Sequence, residues 1–155
     1  MCHYRRGVRT TLLLMGPLNL VLVIWVWIGR VVFGVGGWFI LILMPVALLL
    51  LVGLVATTIL AWTQDGRPRS LTRGQSVAQI ITWVGMLGFG AFLPDFGDTD
   101  DSYTSLLSQL FGRSDSLNSV SFTIAVAFGV AAVIGYLVLL VLLIARRRTA
   151  PLLAS

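Results

Sequence analysis

Lysine and glutamate are absent from this 155-residue chain, and cysteine and histidine occur once each, as Cys2 and His3. A single cysteine excludes an intrachain disulfide. One cysteine beside one histidine, with no further ligands, makes neither a tetrahedral metal site nor a nucleophile–base pair, so neither residue carries a metal or catalytic expectation. Charge is scarce as well: eleven arginines and six aspartates make up 11% of the chain, against about 25% in an ordinary soluble domain. Reliance on arginine for all the positive charge points to GC-rich coding and hence to a bacterial source.

Apolar sequence fills the space that charge leaves. Hydrophobic residues make up 57% of the chain, more than a water-soluble core of this size can hide. Four runs, Leu12 to Ile28, Trp38 to Trp62, Val77 to Leu93 and Ser121 to Ala145, contain no Asp, Glu, Lys, Arg or His. Each has about the 17–25 residues that a helix needs to cross a bilayer. The first follows Arg5, Arg6 and Arg9, as a secretory signal would, but it exceeds the usual apolar length of roughly 7–15 residues and lacks an A-x-A-like site. It is therefore expected to remain as an uncleaved helix. The chain divides into an Arg-rich tail (1–11), a four-span membrane domain (12–145, with spans near 12–28, 38–62, 77–93 and 121–145), and a second Arg-rich tail (146–155).

Between the second and third runs, Asp65-Gly66 and Pro68 are expected to form a turn, and Thr72 stands three residues before Gln75 in a capping-box arrangement. The connection from Gly29 to Gly37 is nearly apolar, which keeps it at the interface with Trp25, Trp27 and Trp38 at headgroup depth. Arginine counts set the expected orientation. With a cytoplasmic amino terminus, Arg5, Arg6, Arg9, Arg67, Arg69, Arg73, Arg146, Arg147 and Arg148 fall inside and only Arg30 and Arg113 outside. Short arginine-rich loops stay cytoplasmic, so both termini are expected inside and the loop 94–120 outside, in a bacterial plasma membrane.

That loop gathers the acids. Asp95, Asp98, Asp100, Asp101 and Asp115 against Arg113 leave it at five minus one, a formal charge of minus four. Tyr103, Leu106, Leu107, Leu110 and Phe111 recur at i, i+3, i+4, i+7 and i+8, the signature of one helical face, so a short amphipathic helix is expected to lie on the outer membrane surface. Asp100, Asp101 or Ser102 would cap its first turn and Gly112 end it. The acids at Asp95, Asp98, Asp100 and Asp101 serve capping and solubility on this reading. Two sharper readings are a divalent-cation site, although the spacing lacks the glycine and terminal glutamate of a calcium loop, and contact with a basic partner surface.

Small residues mark helix-packing seams within the spans: Gly53, Thr57 and Ala61 on the second, Ala78, Thr82 and Gly85 on the third, and two stripes on the fourth. One of those stripes is Ser121, Ala125 and Gly129, the other Ala127, Ala131 and Gly135. With two stripes on different sides, one is available to another subunit. Intramembrane polar residues are few. Asn19 follows Gly16-Pro17, where a bent helix frees a carbonyl, so a backbone-repairing hydrogen bond is expected of it. Gln79 and scattered threonines complete the set, and no span holds the ionisable residue on which pumps and transporters usually depend.

No phosphate-binding glycine loop is present, and basic clusters such as Arg146 to Arg148 suit anionic lipid headgroups, with nothing to support nucleic-acid binding. Three small four-helix families are excluded for want of their hallmarks. Multidrug exporters need a membrane glutamate, fluoride channels a polar pore track, and quinone-linked disulfide formers their cysteine pairs. The expectation is an all-α integral membrane protein: four transmembrane helices in a bundle plus a short extracytoplasmic amphipathic helix, without cofactor or metal. Its function is read as that of a non-enzymatic accessory or scaffold subunit that meets a membrane-protein partner or a second copy of itself in the bilayer. The alternative is a small oligomeric channel or transporter whose path runs between subunits past Asn19, Thr57, Thr82 and Gln79.

Overall fold

The computed structural model describes residues 2–33, 38–64, 70–94, 106–112 and 114–149, and every regular element among them is helical. In chain order these are α1 (Cys2–Ile28), a 3-10 segment (Gly29–Phe33), α2 (Phe39–Trp62), α3 (Arg73–Phe92), α4 (Leu106–Phe111) and α5 (Asp115–Thr149). Four of them, α1, α2, α3 and α5, are long and apolar enough to cross a membrane, with mean hydropathies of 2.1, 2.8, 1.2 and 2.8 over their most apolar stretches. The protein is an all-α, multi-pass membrane bundle.

Helix ends extend past the apolar runs because hydrocarbon and hydrogen bonding set different limits. A run of apolar residues marks the length immersed in lipid, whereas backbone bonding continues into the headgroup layer and beyond. So α1 reaches back to Cys2 through the arginine-rich segment, and the 35 residues of α5 are about 52 Å long at 1.5 Å per residue, well beyond a roughly 30 Å hydrocarbon core. At the start of α3 the capping box sets the boundary. The Gln75 amide donates to Thr72 Oγ1 at 3.3 Å and the Thr72 amide donates to Gln75 Oε1 at 2.9 Å, which begins the helix four residues before the apolar run at Val77.

Contacts between helices define two ends of the bundle. At the end bearing Arg9, Arg73, Arg146 and Arg147, the buried side chains of Leu12, Met15, Ala61, Leu71, Leu139 and Leu143 pack together. Arg146 there donates to Gln64 Oε1 at 3.0 Å and to the Ser70 carbonyl at 3.3 Å, and Arg147 donates to Thr63 Oγ1, so the guanidiniums of α5 hold the residues just after α2 and just before α3. At the opposite end the Trp27 indole donates to the Ile40 carbonyl at 3.0 Å, and Ser121 donates to the Phe92 carbonyl at 2.6 Å. The Trp25 indole donates to the Leu87 carbonyl at 3.0 Å. Trp27 and Trp25 thus fasten α1 to α2 and α3.

The closest seam joins α3 to α5. A Cβ on Gly85 would lie 2.6 Å from the Ala132 backbone nitrogen and 2.7 Å from the Phe128 carbonyl oxygen, and one on Gly135 would lie 3.0 Å from the Ala78 carbonyl oxygen. Backbones meet at these points, as small residues allow in lipid, where leucine gains little from leaving its apolar surroundings. On α5 the seam runs through Ser121, Ala125, Phe128, Ala132, Gly135 and Leu139. Steps of four and three residues keep that line on one face, in the manner of a coiled coil.

The acidic residues Asp95, Asp98, Asp100 and Asp101, the cap candidate Ser102, and Tyr103 lie outside the described residues. Among those described, α4 is a six-residue helix with Leu107 half-buried and Leu110 and Phe111 68% and 74% exposed. It ends at Gly112, whose φ of +92° is a left-handed backbone conformation that glycine adopts without steric cost.

Candidate functional site

The most concentrated polar chemistry lies in the middle of the bundle, on Asn19 of α1. Its Oδ1 accepts from the Trp83 indole at 2.7 Å and from Gln79 Nε2 at 3.1 Å, and its Nδ2 donates to Thr58 Oγ1 at 3.1 Å. Thr58 passes its own proton to the Leu54 carbonyl, one turn back, at 2.7 Å. One amide therefore bonds to α2 and α3 at once. Asn19 and Gln79 are 4% and 0% exposed, so these bonds operate without water, where an amide left unpaired is costly. The Asn19 side chain pairs with other side chains and not with a carbonyl freed near Pro17. A short amide reaches a backbone acceptor only on its own turn, whereas Gln79 and Trp83, four residues apart on α3, present two donors to it from across the interface.

Two further intramembrane hydroxyls turn inward. Thr57, 0% exposed, donates to the Leu54 carbonyl at 3.0 Å, and Thr82, 2% exposed, donates to the Ala78 carbonyl at 2.9 Å. Gln79 Oε1 is buried with no hydrogen-bond partner. Among the described residues no three of His, Cys, Asp and Glu come together.

A second feature is steric. Helix α2 packs mainly on α1 and scarcely touches α5, and Thr82, Met86 and Phe89 of α3 with Val26 of α1 line the space between α2 and α5. The resulting cleft holds two adjoining cavities of about 220 and 450 Å³ that share Val46, Leu50, Met86, Ala132 and Val133. Gly53 and Gly129 stand on its two sides. A Cβ at Gly53 would meet the Tyr136 hydroxyl at 2.9 Å, and one at Gly129 would meet the Phe89 ring at 3.0 Å. The lining is almost wholly apolar, and the helices on either side are the least covered in the bundle: 22% of the most apolar stretch of α2 and 17% of that of α5 are buried, against 50% for α3.

Protein-family models, curated proteins and solved structures provide no match to this chain. The packing residues expected from sequence distribute between the seam and the cleft. Thr57, Ala61, Ala78, Thr82, Gly85, Ala125 and Gly135 are buried; Gly53, Gly129 and Ala131 are half-buried; Ala127 is exposed. Trp83, Thr58 and Tyr136 were not singled out by sequence. A pointer to Trp83 exists in its position four residues after Gln79, on the same helical face. Chemically, the Asn19 cluster can fix the register of three helices, and the cleft can hold an apolar rod.

Proposed function

We propose that the chain is a non-enzymatic accessory or scaffold subunit of a membrane complex and that it receives a transmembrane helix of its partner in the cleft between α2 and α5. The separation of these two helices is the observation that carries the reading. Each is bounded by lipid over most of its surface, yet between them lies an apolar recess whose exposed walls are Val46, Val130 and Val133, the surface against which a partner helix packs. Side chains of a partner helix lying along the recess fill it with dispersion contacts. The competing reading, a channel between subunits, needs a hydrated path. Its four polar residues are buried and bonded within one bundle, which favours the accessory role.

In this reading the arginine-bearing end faces the cytoplasm of a bacterium and the loop after α3 faces out. A cysteine at Ser116 in a Cys2→Ser background is expected to react with an impermeant thiol reagent added to intact cells, while one at Ser70 stays unlabelled. Equal labelling would refute that orientation. The partner is tested by mild-detergent purification from native membranes. Wild type is expected to elute with a companion protein, and Val133→Trp, which fills the cleft from its lipid-exposed wall, is expected to elute folded and alone. Retention of the same companion by both would refute the cleft as its seat.

A further inference from the structure

We infer that the groove between α3 and α5 at the arginine-bearing end is a binding site for one anionic phospholipid, with an acyl chain along the groove and the headgroup phosphate on Arg73. The inference is independent of the accessory reading, because the groove lies on a different interface from the α2–α5 cleft. Its cavity measures about 460 Å³. Ala78 and Gly135 form the floor, where the two backbones touch. Val77 and Ile81 rise on one side and Ile134 and Val138 on the other, 55%, 44%, 56% and 45% exposed, so the walls stand apart and face lipid. From Arg73 to Ile81 the groove follows eight residues of α3, about 12 Å at 1.5 Å per residue, the length of a good part of one acyl chain.

Any lipid tail gains packing in such a groove; selection comes from its mouth. Arg73 is exposed there, in the first turn of α3, where the positive end of the helix dipole adds to its charge. Arg146, one turn beyond the groove-lining Leu142, is held by the Ser70 carbonyl and Gln64 Oε1, so a second guanidinium is fixed at the same end. In sequence the connection that leads from α2 into Arg73 carries Arg67 and Arg69 against the single acid Asp65. An anionic headgroup therefore meets positive charge above an apolar trough, whereas a zwitterionic headgroup brings a cation of its own toward the same arginines.

Native mass spectrometry of the purified protein tests this with dioleoyl phosphatidylglycerol and dioleoyl phosphatidylcholine, which share their tails. Wild type is expected to hold one phosphatidylglycerol about fivefold more strongly than phosphatidylcholine, the factor given by one arginine near a headgroup. Arg73→Gln should remove that preference, Arg73→Lys should keep most of it, and Arg9→Gln, an equal loss of charge on α1, should leave it intact. Val138→Trp, which fills the groove, should reduce retention of both lipids. Equal loss in Arg73→Gln and Arg9→Gln would reduce the effect to general surface charge and overturn the site. Unchanged retention in a folded Val138→Trp, or no preference in wild type, would overturn it too.

Discussion

Gly85→Leu is expected to leave no folded, monodisperse protein, and Gly85→Ala alone to lower stability by about 2–3 kcal/mol, the upper part of the range for overpacking. The reason is what stands opposite. Most overpacked cores yield by turning a flexible side chain, but a Cβ on Gly85 would meet the Ala132 nitrogen and the Phe128 carbonyl oxygen, which are backbone. Relief requires α3 and α5 to move apart, and that opens the rest of the seam, including the contact at Gly135. Gly16 supplies the control, since a Cβ there has nothing within 4 Å. Gly16→Ala should stay within about 1 kcal/mol of wild type, the scale of glycine's helix-propensity deficit. Thermal unfolding in detergent, followed by loss of the monodisperse peak, measures both.

Asn19→Leu should destabilise the bundle by about 2–3 kcal/mol, as three intramembrane hydrogen bonds at roughly 0.6–1 kcal/mol each are lost. The residue left in the worst position is Gln79. Its Nε2 donates to Asn19 Oδ1 and its Oε1 is already unpartnered, so without Asn19 its buried amide loses the one side-chain bond described for it. Replacing that amide as well removes the stranded groups. Asn19→Leu/Gln79→Leu is therefore expected to be less destabilised than the sum of the single variants and no worse than Asn19→Leu. Additive losses would mean that the two amides act separately. The same measurement at Trp83→Phe, which removes one donor and keeps an aromatic body, should show a loss of under about 1 kcal/mol.

Much of this architecture is written in hydropathy. Four uncharged runs foretell four spans, Thr72 and Gln75 mark where α3 starts, and Gly112 marks where α4 stops. Which faces meet is harder to read. Stripes repeated every four residues drift by 40° at each step in a helix of 100° per residue, so the line Ala127, Ala131, Gly135 runs from an exposed position to a buried one. The contacting face follows alternating steps of four and three instead, through Phe128 and Ala132, where a large residue opposite a glycine counts as much as a small one. Asn19 illustrates a second limit. Its own sequence neighbourhood, with Gly16 and Pro17, directs attention to local backbone, while its partners Thr58, Gln79 and Trp83 are 39 to 64 residues away. The cleft is invisible for a related reason: hydropathy gives α2 and α5 the same high value, 2.8, whether lipid or a protein helix covers them.

Photo-crosslinking in native membranes tests the central claim most directly. A photoreactive residue in place of Val133, within the cleft, is expected to join the chain to one discrete membrane protein, and the same group at Ile80, on the exposed face of α3, to yield only lipid adducts. Lipid adducts at both positions, together with a purified monomer that carries a solute flux in liposomes, would contradict the accessory role and leave the transporter in its place.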